Sequence, residues 1–203
     1  GQVSGVTLAG GQHLPCGQVV HAGDPAALAE GLLGPEASRA VPRRAVQPRS
    51  LSARVWAFAA RPQGLPLAYH NVFFAADERG EFGQLARGQT PADPTLYVCA
   101  QDRATTLPTG TERFEIILNA PPLPNGRAGS PDSLDFAQCH SRTFRTLERF
   151  GLTFDPGPDP ATLTGPPEFA RMFPASQGSI YGLSPQGLTA AFRRPGARTV
   201  VPG

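Results

Sequence analysis

The chain has 203 residues, of which 40% are hydrophobic and 17% charged, and its formal net charge is +2. This composition predicts a folded globular protein, and the scattered arginines lack the dense basic stripe of a nucleic-acid-binding protein. The absence of lysine from the sequence excludes a Schiff-base or P-loop lysine, and no apolar run approaches the ~20 residues of a membrane-spanning helix.

The N-terminal part of the chain predicts short elements. Apolar residues on either side of a Gly-Gly turn predict a β-hairpin within residues 1–21. Asp24 and Pro25 then have the residue types of a helix N-cap and first helical position, and a Gly-Pro pair ends this short helix after residue 33. Residues 35–50 are rich in proline and arginine and are predicted to form a loop.

Four segments in the middle of the chain have the apolar and aromatic content of strands, and they lie at residues 51–60, 67–74, 95–101 and 113–119. A short helix is predicted between two of them, over residues 78–87. Because the other strands follow one another without helical crossovers, the pattern favours an antiparallel sheet over a parallel one. The predicted fold class is α+β, with an antiparallel sheet of about five strands and a few packed helices.

The strongest helix pattern lies in the C-terminal half. Apolar residues with near-helical spacing predict a helix over residues 131–150, with Ser130 as N-cap and Gly151 as the C-terminal stop. Residues 155–174 are predicted to be a proline- and glycine-rich loop with one helical turn near residues 167–172.

Common catalytic and metal-binding motifs are missing from the sequence. The three cysteines and four histidines form neither a C-x-x-C nor an H-E-x-x-H pattern, so we expect free thiols and no metal site. There is no G-x-G-x-x-G turn after a strand and no G-x-S-x-G elbow. Ser176, Ser179 and Ser184 lie in a glycine-rich run without a neighbouring histidine, which favours turn and cap roles.

Two polar pairs and a set of aromatic residues could contribute to a binding pocket. Asp102 and Arg103 follow a strand and could anchor a ligand at a pocket mouth or form an exposed ion pair. His70 and Asn71 lie in an aromatic strand, where they could orient a ligand or belong to a satisfied core network. The aromatic residues fit either a protein core or an apolar ligand tunnel; they are Phe73, Phe74, Phe114, Phe136, Phe144, Phe150 and Phe154.

Several stretches of the sequence resemble a known family. They are LAYHNVFF at 67–74, DPTLYVCAQDR at 93–103, ILNAPP at 117–122, FPASQGSIYGLSPQGL at 173–188 and FRRPGART at 192–199. Together they resemble the bacterial phytoene-desaturase-like carotenoid dehydrogenases, with the hydroxyneurosporene (methoxyneurosporene) dehydrogenases of purple photosynthetic bacteria as the nearest branch.

The resemblance implies a domain arrangement. Residues 1–25 are similar to the hairpin through which flavin amine-oxidase-like proteins return from the FAD domain, so residues 1–34 are expected at the edge of that domain. Residues 35–203 are then the substrate-binding domain. Both halves of the Rossmann-type FAD domain would lie outside this chain, and both ends of the chain look truncated. We therefore expect FAD in the full-length protein, and no bound flavin and no activity in this piece alone.

The resemblance also implies a reaction and a substrate. The family removes two vicinal hydrogens from a long apolar polyene; the flavin takes a hydride and a proton leaves the adjacent carbon. His70, Asn71 and Asn119 are the candidates for contact with a polar 1-hydroxy or 1-methoxy terminus. Phe73 and Phe74 are the candidates for the apolar wall. Since the substrate is lipid-soluble, a cytoplasmic protein peripheral to the inner or photosynthetic membrane is expected.

The sequence leaves the catalytic base unassigned, because Asp102 would qualify only if it lay close to the flavin. Two alternatives to the desaturase remain open. One is a non-catalytic domain that binds an apolar ligand or a partner protein. The other is the substrate domain of a different amine-oxidase-like flavoenzyme.

Overall fold

A computed structural model describes most of the chain, in two compact units. The described residues are 2–105, 108–124, 136–187, 190–193 and 199–201.

The smaller unit combines Gly1–Pro48 with Gly182–Gly203. Its first elements are strands β1 (Gly5–Thr7) and β2 (His13–Pro15), which pair antiparallel and confirm the predicted hairpin. The division between the two units differs from the predicted boundary after residue 34. The assignment of segments to an FAD or a substrate domain stays a prediction.

Helix α1 (Pro25–Ala29) follows the hairpin and begins as the sequence predicts. The Asp24 carboxylate accepts a hydrogen bond from the Ala26 N–H at 3.0 Å, which satisfies one free donor of the first turn. The helix is shorter than expected because Gly31 adopts a φ of +80°, a left-handed conformation that ends helices. A further helix, α2 (Pro35–Ser38), lies in the segment that was predicted to be a loop.

The larger unit, Arg49–Tyr181, contains a six-stranded sheet in the order β4-β5-β6-β3-β7, with β8 also paired to β3. All the ladders are antiparallel, which confirms the α+β prediction. The strands are β3 (Ser52–Gly64), β4 (His70–Phe73), β5 (Leu96–Ala100), β6 (Glu112–Ala120), β7 (Leu152–Asp155) and β8 (Leu163–Thr164). Strands β7 and β8 were not predicted.

Helix α4 (Phe136–Arg149) covers one face of this sheet and closes the core. Cys139, Thr143 and Leu147 are buried at a spacing of four residues, so they form one stripe along the helix. The fully buried Trp56 meets the ring of Phe136 edge-on, with 5.2 Å between the centroids. The predicted helix is confirmed from Phe136 onward, whereas its predicted start and the Ser130 cap lie outside the described residues.

Two shorter helices complete the larger unit. Helix α3 (Glu78–Ala86) connects β4 to β5, and the Asp77 carboxylate accepts the Gly80 N–H at 2.9 Å. Helix α5 (Pro166–Met172) supplies the helical turn that the sequence predicts in the C-terminal loop. Both helices therefore match their predicted ranges to within one residue at each end.

Candidate functional site

Alternate residues of the strands point to opposite faces of the large sheet. Trp56, Ile116 and Val98 lie on the face that α4 covers, and none of the three is exposed to solvent. The register therefore places their strand neighbours on the opposite face. We call this opposite face the open face, and it carries His70, Val72, Tyr97, Cys99, Glu115, Ile117 and Val55.

An apolar row crosses four strands of the open face. The register aligns Val72, Tyr97, Ile117 and Val55 side by side on β4, β5, β6 and β3. Val72 is 49% exposed, and the other three are half-buried. Because these large side chains keep access to solvent in the described part of the chain, the row can contact an apolar ligand.

A polar pair borders this row. The Nδ1 atom of His70 lies 2.5 Å from the Tyr97 hydroxyl oxygen, and the two rings stack with planes 28° apart. The ring of Tyr69 meets His70 edge-on, with 4.3 Å between centroids. These contacts restrict the orientation of the exposed His70 ring and leave its Nε2 atom outside the hydrogen bond with Tyr97.

The surroundings of Tyr97 keep its hydroxyl protonated. Burial raises the pKa of the Tyr97 phenol, and the Cys99 thiol and the Glu115 carboxylate raise it further. A phenol with an elevated pKa is neutral near pH 7 and can donate one hydrogen bond and accept others. The open face therefore carries an apolar row that includes a neutral phenol able to donate and accept hydrogen bonds.

Of the residues that the sequence singled out for substrate contact, Asn71 and Phe73 point away from the open face. The Asn71 side chain accepts the Ala68 N–H at 2.8 Å and donates to the Val98 carbonyl at 3.1 Å, so its amide ties β4 to β5. Phe73 is 6% exposed and packs on Phe150, with 5.1 Å between ring centroids. These contacts are those of a satisfied core network.

Phe74 and Asn119 lie two residues past Val72 and Ile117, on the side of the apolar row opposite His70. Phe74 follows the end of β4 and is 62% exposed. The Asn119 amide lies 3.5 Å from a carboxylate oxygen of the buried Glu81, whose other oxygen accepts the Thr95 hydroxyl at 2.7 Å. Asn119 thus belongs to a network that connects α3 to the sheet. Among the described contacts of these candidates, that of His70 with the Tyr97 hydroxyl is the one made to a side chain of the apolar row.

Asp102 and Arg103 form two separate ion pairs with adjacent residues of β6. The Arg113 guanidinium and backbone N–H both bind the Asp102 carboxylate, and they lower its pKa. Arg103 instead donates two hydrogen bonds to Glu112 at 2.6 and 2.7 Å and a third to the Leu67 carbonyl at 2.7 Å. A carboxylate with a lowered pKa is a weak proton acceptor, which argues against Asp102 as a general base.

The most distinctive stretch of the sequence, residues 173–188, begins with a tightly bonded turn. The buried Ser176 accepts the Gly178 N–H on its hydroxyl at 3.0 Å and the Arg49 side-chain N–H on its carbonyl at 3.1 Å. The hydroxyls of Ser179 and Ser50 are 2.5 Å apart. Ser184 accepts the N–H of the residue two positions on. Ser176 and Ser184 therefore have the turn roles that the sequence indicated, whereas the Ser179 hydroxyl bonds to the distant Ser50.

The described residues offer no dinucleotide cradle. Such a cradle needs a glycine-rich turn between a strand and a helix of a parallel β-α-β unit, and every ladder in the described ranges is antiparallel.

All three cysteines are free, and burial raises the pKa of the Cys139 thiol. Across the described ranges, none of the helices combines the length and apolarity needed to cross a bilayer.

Comparison with known proteins gives one consistent group of relatives, although no family model matches the chain. The chain is 58% identical over 204 residues to a hydroxyneurosporene desaturase of Cereibacter sphaeroides and 50% identical over 206 residues to that of Rhodobacter capsulatus. Each alignment covers 100% of this chain and 40% of the relative. A zeta-carotene-forming phytoene desaturase of Myxococcus xanthus is 26% identical over 190 residues, 91% of this chain and 36% of the relative. The chain thus spans about 40% of the length of the hydroxyneurosporene desaturases that it matches.

Proposed function

Because this chain belongs along its entire length to the hydroxyneurosporene desaturase family, we propose that it is the substrate-binding part of a longer carotenoid desaturase. The observation that carries the proposal is the 58% identity across 100% of the chain. The whole protein would dehydrogenate a C40 carotenoid of the hydroxy- or methoxyneurosporene type in carotenoid biosynthesis.

The open face supports this proposal because its shape and chemistry suit a long polyene with one polar end. Val72, Ile117 and Val55 provide apolar surface across three strands, and burial of apolar surface contributes roughly 25 cal/mol per Å². His70 lies at the border of that row, where it can contact the terminal oxygen of a hydroxylated carotenoid and set the register of the chain. The other polar candidates, Asn71 and Asn119, would act indirectly. Their hydrogen bonds to protein groups would hold neighbouring residues in position.

We propose that the longer protein uses FAD. The described residues do not fit the pyrophosphate of a dinucleotide, so segments outside this chain would hold the cofactor. The part of the chain described here would supply the apolar wall and the contact to the substrate terminus. We accordingly expect this chain alone to bind no flavin and to be inactive.

A membrane-peripheral location follows from the proposed substrate, which partitions into lipid. Four large apolar side chains at the end of α5 and in the following turn are exposed and could reach a lipid surface. They are Met172, Phe173, Ile180 and Tyr181. We propose that the longer protein works at the cytoplasmic face of the inner or photosynthetic membrane.

The test of the proposed function is an assay of the full-length protein with FAD and hydroxyneurosporene, in which pigment extracts are analysed for loss of two hydrogens. We expect a product with one additional conjugated double bond. A full-length protein that binds the carotenoid but leaves it unchanged would favour the non-catalytic alternative. Activity only on an unrelated amine or porphyrinogen would favour another flavoenzyme.

Replacement of His70 should alter the choice of substrate. We expect His70→Phe in the full-length protein to lower kcat/KM for hydroxyneurosporene roughly fivefold, because the loss of one hydrogen bond costs about 1 kcal/mol. His70→Gln retains hydrogen-bonding groups and serves as the matched control, with a smaller loss. Unaltered kinetics and an unaltered product profile in His70→Phe would contradict the assignment.

A further inference from the structure

We propose that Tyr97 determines specificity for a hydroxylated carotenoid end, with its hydroxyl as the group that the substrate oxygen contacts and His70 as the residue that positions it. This inference rests on the proposed function and extends it, since neither the sequence pattern nor the relatives single out Tyr97.

The position of Tyr97 suits this role. It lies in β5 between Val72 and Ile117, so its ring is part of the apolar row that a polyene would contact. Its hydroxyl, 2.5 Å from His70, is the polar group of that row. A tyrosine combines apolar surface with a polar tip, and this combination matches the junction between a polyene and its terminal oxygen.

The pairing with His70 leaves the Tyr97 hydroxyl able to bind one more group. A phenol has one donor and two acceptor positions; His70 takes one of them and a hydrogen bond with the Cys99 thiol takes another. If Tyr97 donates to Nδ1, its oxygen accepts from a substrate hydroxyl. If the Nδ1–H donates to Tyr97, the phenol proton is free to bind a substrate oxygen.

The possible carotenoid ends differ in how they can hydrogen-bond to these two arrangements of the Tyr97–His70 pair. A hydroxyl can donate and accept, so it satisfies both tautomers of His70. A methoxy group can only accept and satisfies one of them, while an unsubstituted end satisfies neither. The expected order of preference is therefore hydroxy, then methoxy, then unsubstituted.

Tyr97 should discriminate more strongly than His70 because it is less accessible to water. The Tyr97 side chain is half-buried whereas His70 is exposed. Because the Tyr97 ring lies within the apolar row, a bound polyene would exclude water from its hydroxyl, and a carotenoid end that cannot pair with the hydroxyl would leave it unsatisfied. His70 acts mainly by holding the Tyr97 hydroxyl in place through one of its hydrogen-bond positions.

The test compares kcat/KM of the full-length protein with FAD on hydroxyneurosporene and on neurosporene, which lacks the hydroxyl. We expect Tyr97→Phe to reduce the preference for hydroxyneurosporene about fivefold, through KM rather than kcat, and to lower kcat/KM for neurosporene much less than kcat/KM for hydroxyneurosporene. Tyr69→Phe is the matched control, because its ring also contacts His70 but lies outside the apolar row; it should keep the wild-type preference.

The outcomes separate this inference from the proposed function. Wild-type activity together with an unchanged preference in Tyr97→Phe would overturn the role of Tyr97 and leave the desaturase proposal standing. A wild-type protein without activity on either carotenoid would overturn both. Tyr97→Leu, which keeps the row apolar, provides a second variant and should show the same loss of preference.

Discussion

Replacement of Arg103 by methionine is expected to lower the free energy of unfolding of the sheet-containing unit by about 3–5 kcal/mol. The side chains of Arg103 and Glu112 are only 14% and 3% exposed, and two hydrogen bonds join them. Removal of the guanidinium leaves the Glu112 carboxylate buried without its counter-ion, and the Leu67 carbonyl loses a donor. Removing one partner of a buried ion pair costs far more than the pair itself contributes.

The adjacent residue of β6 supplies a matched control. Arg113 also pairs with a carboxylate, that of Asp102, but its side chain is 68% exposed. Arg113→Met should therefore cost less than ~1 kcal/mol. The double variant Arg103→Met with Glu112→Leu should recover most of the loss, because it removes both buried charges together.

Urea unfolding followed by fluorescence measures all three variants. The sequence contains a single tryptophan, and Trp56 is fully buried in the core of the larger unit. With a slope of ~2 kcal/mol per M, Arg103→Met should move the midpoint down by ~2 M. Equal shifts for Arg103→Met and Arg113→Met would show that burial of the first pair does not control stability.

The fold was largely predictable because its local signals agree with its tertiary contacts. Asp24 and Pro25 start α1 as their residue types require, and strands β3 to β6 lie in apolar and aromatic segments. Strands β7 and β8 could not be predicted. Both pair with the distant β3, a tertiary contact that no local sequence pattern shows.

The site was less predictable, although strand alternation in the sequence carries part of the signal. His70 and Asn71 are neighbours in a strand, so they must point to opposite faces of the sheet, and only one of them can line a given surface. The same rule separates Phe73 from Phe74. Tyr97 lies in β5, whose residues are nearly all apolar, so no alternation marks the open face.

Replacement of Gly178 by alanine is the second change expected to be severe, with a loss of about 3 kcal/mol in the free energy of unfolding. Gly178 has a φ of +73°, and a Cβ atom there would lie 2.4 Å from the Pro166 carbonyl oxygen. The obstacle is backbone at the start of α5, which cannot move aside as a flexible side chain can. The turn that carries the hydrogen bonds of Ser176 would have to shift.

Gly88→Ala separates the two causes of this loss. Gly88 has nearly the same φ, +72°, but nothing lies within 4 Å of a Cβ atom built there. It should therefore show only the cost of the left-handed conformation, about 1 kcal/mol. The difference between the variants, measured by Trp56 fluorescence in urea, gives the contribution of the close approach to Pro166. If Gly178→Ala were no more destabilising than Gly88→Ala, the packing of this turn on α5 would not constrain the glycine.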